Sequence, residues 1–241
     1  MSAVPPGKRG TLYVIPSLLG VVPPAAALPQ RTIDIARRLS HFVVETPKLA
    51  RAFLKTLDPL HPLQSIAMAE LSEHTPGQRA AELLAPALAG HDVGLLSDAG
   101  CPGVADPGAP LMRAAHRAGV RVVPLVGPSA VLLALMASGL DGQRFAFHGY
   151  LPAKPAARQD ALRALEPSAA RGATQVFIET PYRNDAIVDA VVSLCGPELR
   201  FCVAADLTLP SEQIVCRTIA EWRAGSRAPF GKRPAIFLLG I

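Results

Sequence analysis

Three loops hold the residues best placed to do chemistry, and each follows a run that reads as a strand: Pro16 after Ile15, Ser97 to Gly108 after Leu96, and Val126 to Ser129 after Leu125. In an open α/β sheet, ligands bind at the carboxyl ends of the strands, so such loops can converge on one crevice. The middle loop is the most informative. Two prolines and three glycines across residues 99–108 leave main chain open to close approach by a ligand where bulky side chains would forbid it. Asp98 and Asp106 flank this loop. Asp98 reads as an organiser of a ligand loop, and an aspartate that holds the turn through local N–H groups accounts for it equally well.

Other chemistries lose their support. No G-x-G-x-x-G follows the first strand and no P-loop motif occurs, which removes the nicotinamide, flavin and P-loop nucleotide readings. There is no G-x-S-x-G elbow, and Ser97 and Ser129 lack an evident histidine partner, so a serine hydrolase is disfavoured. The six histidines show no metal spacing; His41, His61, His91 and His116 read as surface or strand-end residues, and no metal is expected. Cys101, Cys195, Cys202 and Cys216 lie far apart without a C-x-x-C, which predicts reduced, mostly buried thiols and neither a zinc site nor a redox pair.

The elements that must position these loops are legible from periodicity. Strands are predicted at residues 11–15, 41–45, 65–69, 92–96 and 120–125, with helices starting near 31 and 47 and running over 78–89 and 109–118. Pro47 suits a first helical turn, where its missing N–H costs nothing. Residues 17–29 are too broken by proline to be helical. Beyond Gly127-Pro128, helices are expected at 130–138, 157–166 and 184–194, and strands at 174–179, 200–205 and 235–239. Residues 208–222 read as a strand and a short helix. Strands alternating with helices predict an α/β fold in two domains: 1–127 with a mostly parallel sheet, and 128–241 with a mixed one.

Composition sets the outer bounds. With 241 residues, 50% of them hydrophobic and 18% charged, the chain can bury a real core and lies outside the disordered regime. No run of about 18 apolar residues occurs, and no signal-peptide core follows Lys8 and Arg9. A cytoplasmic protein without a membrane span is expected. The net charge of +5 is spread evenly, so it permits an anionic partner without identifying one.

In order along the chain, TLYVIPS (11–17), SDAGCPGVADPG (97–108), VVPLVGPSA (122–130), ASGL (137–140), FAFHGYLPAK (145–154) and IETPYR (178–183) resemble the tetrapyrrole methylase superfamily, in particular its ribosomal RNA small-subunit methyltransferase I branch. The resemblance runs from about Gly10 to Gly240. It implies two α/β domains with S-adenosylmethionine folded into the cleft between them, commonly in a homodimer. The implied activity is methyl transfer to the 2′-hydroxyl of ribosomal RNA in the small subunit; a tetrapyrrole or other small acceptor, or donor binding without turnover, are the alternatives.

Position by position, the resemblance implies that Pro16 lies beside the donor and that Ala99, Gly100 and Cys101, with Val104 beyond and Asp98 before them, form the loop around its methionine part. Ser129 and Ala130 match a small pair at the second-domain entry, Glu179 or Thr180 a strand-end contact, Leu207 a contact near the adenine, and Pro234-Ala235 the last backbone contact. Glu45 matches an acidic strand-end position, and Glu73-His74 an Asp-His element; Glu45 and His74 are the candidate bases, although a solvated strand end or loop accounts for each as well. Several positions depart from the pattern. Cys101 stands where other branches have an aspartate, His148 replaces a glutamate, residues 18–24 replace a glycine-asparagine, Thr46-Pro47-Lys48 replace aspartate-threonine-arginine, and the chain stops after its last predicted strand, without the extra C-terminal segment of the ribosomal RNA enzymes. Lys154, Arg158, Arg163, Arg183, Lys232 and Arg233, with Tyr150 and Tyr182, form a set compatible with RNA.

Overall fold

Residues 9–72 and 74–241 are described by a computed structural model; Glu73 lies outside them. They divide into two compact units, one ending at Ser129 and one running from Ala130 to Ile241.

In the first unit the apolar, β-branched runs form β1 (Thr11–Ile15), β2 (His41–Val44), β3 (Ala67–Glu70), β4 (Val93–Leu96) and β5 (Arg121–Pro124). They pair in the order β3-β2-β4-β1-β5, and every pair is parallel. The first strand therefore lies between the fourth and the fifth. The connections carry α1 (Gln30–Arg38), α2 (Pro47–Thr56), α3 (Gly77–Glu82), α4 (Ala85–Leu88) and α5 (Ala109–Arg117). Parallel strands covered on both faces must be apolar throughout, and β4 is buried along its whole length. One apolar cluster gathers Ile15, Ile33, Phe42 and Leu54; the other gathers Leu12, Val43, Leu95 and Leu111.

Two local expectations are corrected here. The helix expected over 78–89 is broken into α3 and α4, because Pro86 has no N–H to give the Glu82 carbonyl and continue the ladder. The third strand starts at Ala67 because Leu63–Ser65 closes into a 3-10 turn.

The second unit comprises α6 (Ala130–Ser138), β6 (Phe145–Tyr150), α7 (Pro155–Ala170), β7 (Thr174–Ile178), α8 (Asn184–Leu194), β8 (Arg200–Ala205), β9 (Gln213–Thr218), α9 (Ile219–Ala224) and β10 (Ala235–Gly240). Its sheet order is β6-β7-β10-β8-β9, parallel between β6 and β7 and antiparallel elsewhere. Aromatic rings fill one face: Phe237 stacks between Phe177 at 5.7 Å and Phe201 at 6.2 Å. Trp222 joins them and donates its indole N–H to the Phe201 carbonyl at 2.9 Å, so its one polar atom is satisfied inside the core. A capping box places Trp222: Thr218 Oγ1 accepts from the Glu221 N–H, and the Glu221 carboxylate accepts from the Thr218 N–H. Among the described residues no helix is long and apolar enough to cross a membrane.

Gly94 is the tightest point of the first sheet. A Cβ there would stand 2.6 Å from the Phe42 ring and 2.9 Å from Ile15 Cδ1, and both side chains are buried. Overpacking at such a site costs about 1–3 kcal/mol. We expect Gly94→Ala to lower stability by about that amount in a denaturant titration with an unchanged slope; a variant as stable as the parent would refute this packing.

Candidate functional site

The loop after β4 has little regular structure, and the loops after β1, β2 and β5 hold it in place. From β1, the Ser17 N–H donates to the Gly100 carbonyl at 2.9 Å and Ser17 Oγ donates to the Ser97 carbonyl at 3.0 Å, forming an isolated antiparallel bridge. On the β2 side, the Thr46 N–H and hydroxyl donate to the two oxygens of Asp98 at 3.0 and 2.7 Å. The Asp98 N–H in turn donates to Glu45 Oε2 at 3.1 Å. From β5, the Pro128 carbonyl lies 3.4 Å from Cys101 Sγ, and Gly127 packs so closely on Pro16 that a Cβ would fall 2.4 Å from the proline ring.

Within the loop, one oxygen of Asp106 accepts from the N–H groups of Gly103 and Gly108, each at 2.7 Å. Asp106 is thus the aspartate that holds a turn through local N–H groups, whereas Asp98 reaches across to the next strand. Burial pushes the Asp106 carboxyl above its ordinary range, against the pull of these donors. Burial also raises the Cys101 thiol, with the Asp106 charge adding to it.

The structure brings Pro16, Asp98, Ala99, Gly100, Cys101 and Ser129 together at the carboxyl edge of the first sheet, with Pro16 and Gly100 buried and Asp98 and Ala99 exposed. Val104, on the outer turn, is 45% exposed and contacts this group through its N–H to the Cys101 carbonyl. Gly100 sits at φ +72°, where L side chains are rare. A Cβ on it would stand 3.2 Å from Leu19 Cδ2 and 3.6 Å from the Pro128 carbonyl. Glu45 and His74 occupy the ends of adjacent strands: Glu45 is half-buried after β2, and His74 is exposed in the turn that leaves β3. Leu71, at the start of that turn, donates its N–H to the Val44 carbonyl and lines a small pocket with Glu45, Ser97 and Asp106. Sequence reasoning passed over Ser17 and Thr46 as contributors to this group. A hydroxyl directly after a strand is too common to signal a brace until its partner strand is known.

The second unit gathers its own set. Glu179 follows β7 opposite Ala235 of β10, and the Asp206 N–H donates to the Pro234 carbonyl at 2.9 Å, so Glu179, Thr180, Leu207, Pro234 and Ala235 share one edge of this sheet. The Glu179 side chain is fully buried. One oxygen accepts from the Thr180 N–H and the Arg183 guanidinium, and the other has no hydrogen-bond partner. Leu207 is presented by a strained turn: Asp206 and Thr208 on either side have φ +52° and +71°, and positive φ is costly for a β-branched threonine. The turn is held by Asp206 accepting from Arg233 Nε at 2.6 Å and Ser211 Oγ at 2.8 Å. Ala130 opens α6.

The cationic set is corrected. Arg158 is only 8% exposed and donates to the Ala153 carbonyl; Arg183 and Arg233 are held by Glu179 and Asp206. Lys232 sits over the Tyr182 ring at 4.9 Å, leaving an aromatic-cationic surface smaller than the sequence suggests. His148 Nε2 donates to Gln175 Oε1 at 2.8 Å on the edge strand. Among the described residues no cluster of His, Cys, Asp or Glu could hold a metal ion.

Comparison with known proteins fits this arrangement. Residues 25–222 match the family model of the Tetrapyrrole (Corrin/Porphyrin) Methylases. The chain is 32% identical over 232 residues to the ribosomal RNA small subunit methyltransferase I of Escherichia coli O157:H7, covering 96% of this chain and 77% of that protein. It is 34% identical to the protein of the same name from Vibrio cholerae serotype O1, covering 90% and 71%. Among solved structures, the methyltransferase CobJ superposes with a TM-score of 0.63 at 19% identity, covering 96% of this chain and 94% of that one. Uroporphyrin-III C-methyl transferase from Thermus thermophilus, complexed with S-adenyl homocysteine, superposes at 0.59 and 19%, covering 96% and 97%. With a family model matched over most of its length and relatives above 30% identity, the chain belongs to the tetrapyrrole methylase family, on the branch of the ribosomal RNA small subunit methyltransferase I proteins.

Proposed function

We propose that this chain transfers the methyl group of S-adenosylmethionine to the 2′-hydroxyl of a ribosomal RNA nucleotide in the small subunit. The observation that carries the reading is the braced main chain at Asp98-Ala99-Gly100. It is exposed at Asp98 and Ala99, free of bulky side chains, and hydrogen-bonded to the loops after β1 and β2. Such backbone can meet the amino-acid end of the donor with little reorganisation. The orphaned oxygen of Glu179 is an acceptor that a ligand N–H or O–H would satisfy. The residues therefore fit the donor. Pro16, Asp98, Ala99, Gly100, Cys101, Val104 and Ser129 of the first unit are its proposed contacts, and the resemblance assigns Ala130, Glu179, Thr180, Leu207, Pro234 and Ala235 of the second to it as well.

When bound, the donor supplies an electrophilic methyl group on a sulfonium. The chain itself must hold the acceptor in line and remove its proton, because a neutral ribose hydroxyl is a weak nucleophile. Glu45, after β2, and His74, in the turn after the adjacent β3, are the proposed bases. The ribosomal acceptor is supported by the names of the relatives in this branch. On this reading the protein works in the cytoplasm as a homodimer; Leu132 and Met136, 50% and 80% exposed on α6, are apolar surface that a second copy would cover.

The test is transfer of a labelled methyl group to small ribosomal subunits lacking the modification, set beside tetrapyrrole precursors. Label in RNA that resists alkaline hydrolysis at one ribose is expected; label in the tetrapyrrole alone overturns the acceptor, and calorimetry showing no affinity for the donor overturns the whole reading. Gly100→Arg should abolish donor binding, by filling the backbone approach and by straining main chain that sits at φ +72°; unchanged affinity would remove Gly100 from the site. Glu45→Gln keeps an oxygen for the Asp98 N–H but cannot take a proton. If Glu45 is the base, this variant loses about 10²–10⁴-fold in turnover with donor affinity retained. Full activity in Glu45→Gln with loss in His74→Asn would move the role to His74.

A further inference from the structure

Cys202 and Cys216 are fourteen residues apart in the chain, yet the register of β8 against β9 sets them directly opposite one another. Directly opposed residues of an antiparallel pair have Cα atoms about 4.5–5.5 Å apart, inside the roughly 4.4–6.8 Å range that a disulfide spans. Both side chains lie on the sheet face away from the Phe201 and Val203 core, since those neighbours alternate with Cys202 along β8. Cys202 is fully buried and Cys216 half-buried, so of the two residues it is Cys216 that retains solvent exposure. Both are free thiols.

We propose that Cys202 and Cys216 form a reversible redox pair that closes a cross-strand disulfide when the protein meets a peroxide. The Cys216 thiolate attacks one peroxide oxygen, the O–O bond breaks, and the departing hydroxide takes up a proton to leave as water, giving a sulfenic acid on Cys216. The Cys202 sulfur then attacks the Cys216 sulfur, the S–O bond breaks, and the Cys202 proton leaves with the hydroxide as a second water. Two thiols are oxidised and one peroxide is reduced; a dithiol reductant reverses the change.

The surroundings favour this order of attack. The hydrogen bond from Cys202 lowers the Cys216 thiol to about 7; burial and Glu221 oppose that shift, and the Arg200 guanidinium, two residues from Cys202 on the same face, assists it. Cys202 is raised by the same hydrogen bond and by its burial, as suits the second sulfur. Elsewhere the thiols are poor competitors. Burial pushes Cys195 up to about 12, and Cys101 is raised by burial and by Asp106. The bridge would close the base of the hairpin whose far end is the strained Asp206-Leu207-Thr208 turn.

Peptide mapping tests this on the intact protein. No lysine or arginine lies between Arg200 and Arg217, so trypsin releases Phe201 to Arg217 as one peptide carrying both cysteines. After a small molar excess of hydrogen peroxide, quenching and alkylation, this peptide should be about 2 mass units lighter than its unlabelled dithiol. It should refuse alkylation until reduced, while the Cys101 and Cys195 peptides remain alkylated. In Cys202→Ala the mass loss should vanish and a sulfenic-acid probe should instead mark Cys216. Two alkylated cysteines in the peptide, a Cys216 overoxidised beside a free Cys202, or preferential oxidation of Cys101 would each overturn the proposal.

Discussion

The loop from Ser97 to Gly108 cannot hold its shape alone, and the constraint on which the first unit turns is the set of hydrogen bonds that neighbouring strand ends supply to it. The exchange between Glu45-Thr46 and Asp98 is the strongest part: a carboxylate on each side accepts from main-chain N–H of the other, with the Thr46 hydroxyl adding a third bond. Bonds to charged acceptors contribute roughly twice as much as neutral ones, and three together fix the register of two loops that the sheet only brings near. The Ser17-Gly100 bridge does the same from the other side. The consequence for the site is that main chain, which carries no rotamer freedom to lose, becomes the binding surface.

This bracing also explains why some acidic residues are poor witnesses to function. Asp98 and Asp106 flank the same loop and look alike in sequence, but Asp98 ties two strands together while Asp106 closes a turn on itself through Gly103 and Gly108. Glu179 is spent partly on its own neighbour Thr180 and on Arg183. A carboxylate that organises donors around a ligand site and one that touches the ligand can be the same residue, and only its unshared oxygen separates the two roles.

Strand and helix positions were legible where the local signal was strong. Asn184–Leu194 and Arg200–Ala205 fall where periodicity sets them, and Pro47 opens its helix as its chemistry requires. The misses came from signals that act at one residue, such as Pro86 splitting a helix whose apolar period runs on unbroken. In the first unit, the loops after β1, β4 and β5 hydrogen-bond to or pack on one another. Pairings across strands were not legible at all: nothing in the spacing of Cys202 and Cys216 announces that they face each other, because register depends on a turn and a sheet order that one strand does not contain. Nor does the sequence show that Arg158 is buried and turned to the Ala153 carbonyl rather than lying on a solvated face.

The strand order β3-β2-β4-β1-β5 has a bearing on how this protein is made. β1 hydrogen-bonds only to β4 and β5 among the named strands, so during synthesis it must wait for roughly 80 further residues before a partner strand exists. At about 5–20 residues per second that interval is roughly 4–16 s. Throughout it the strand that bears Leu12, Val14 and Ile15, all buried in the finished sheet, has no hydrogen-bonding neighbour. A synonymous change that slows decoding between β1 and β4 lengthens the time for which that backbone edge stays unpaired.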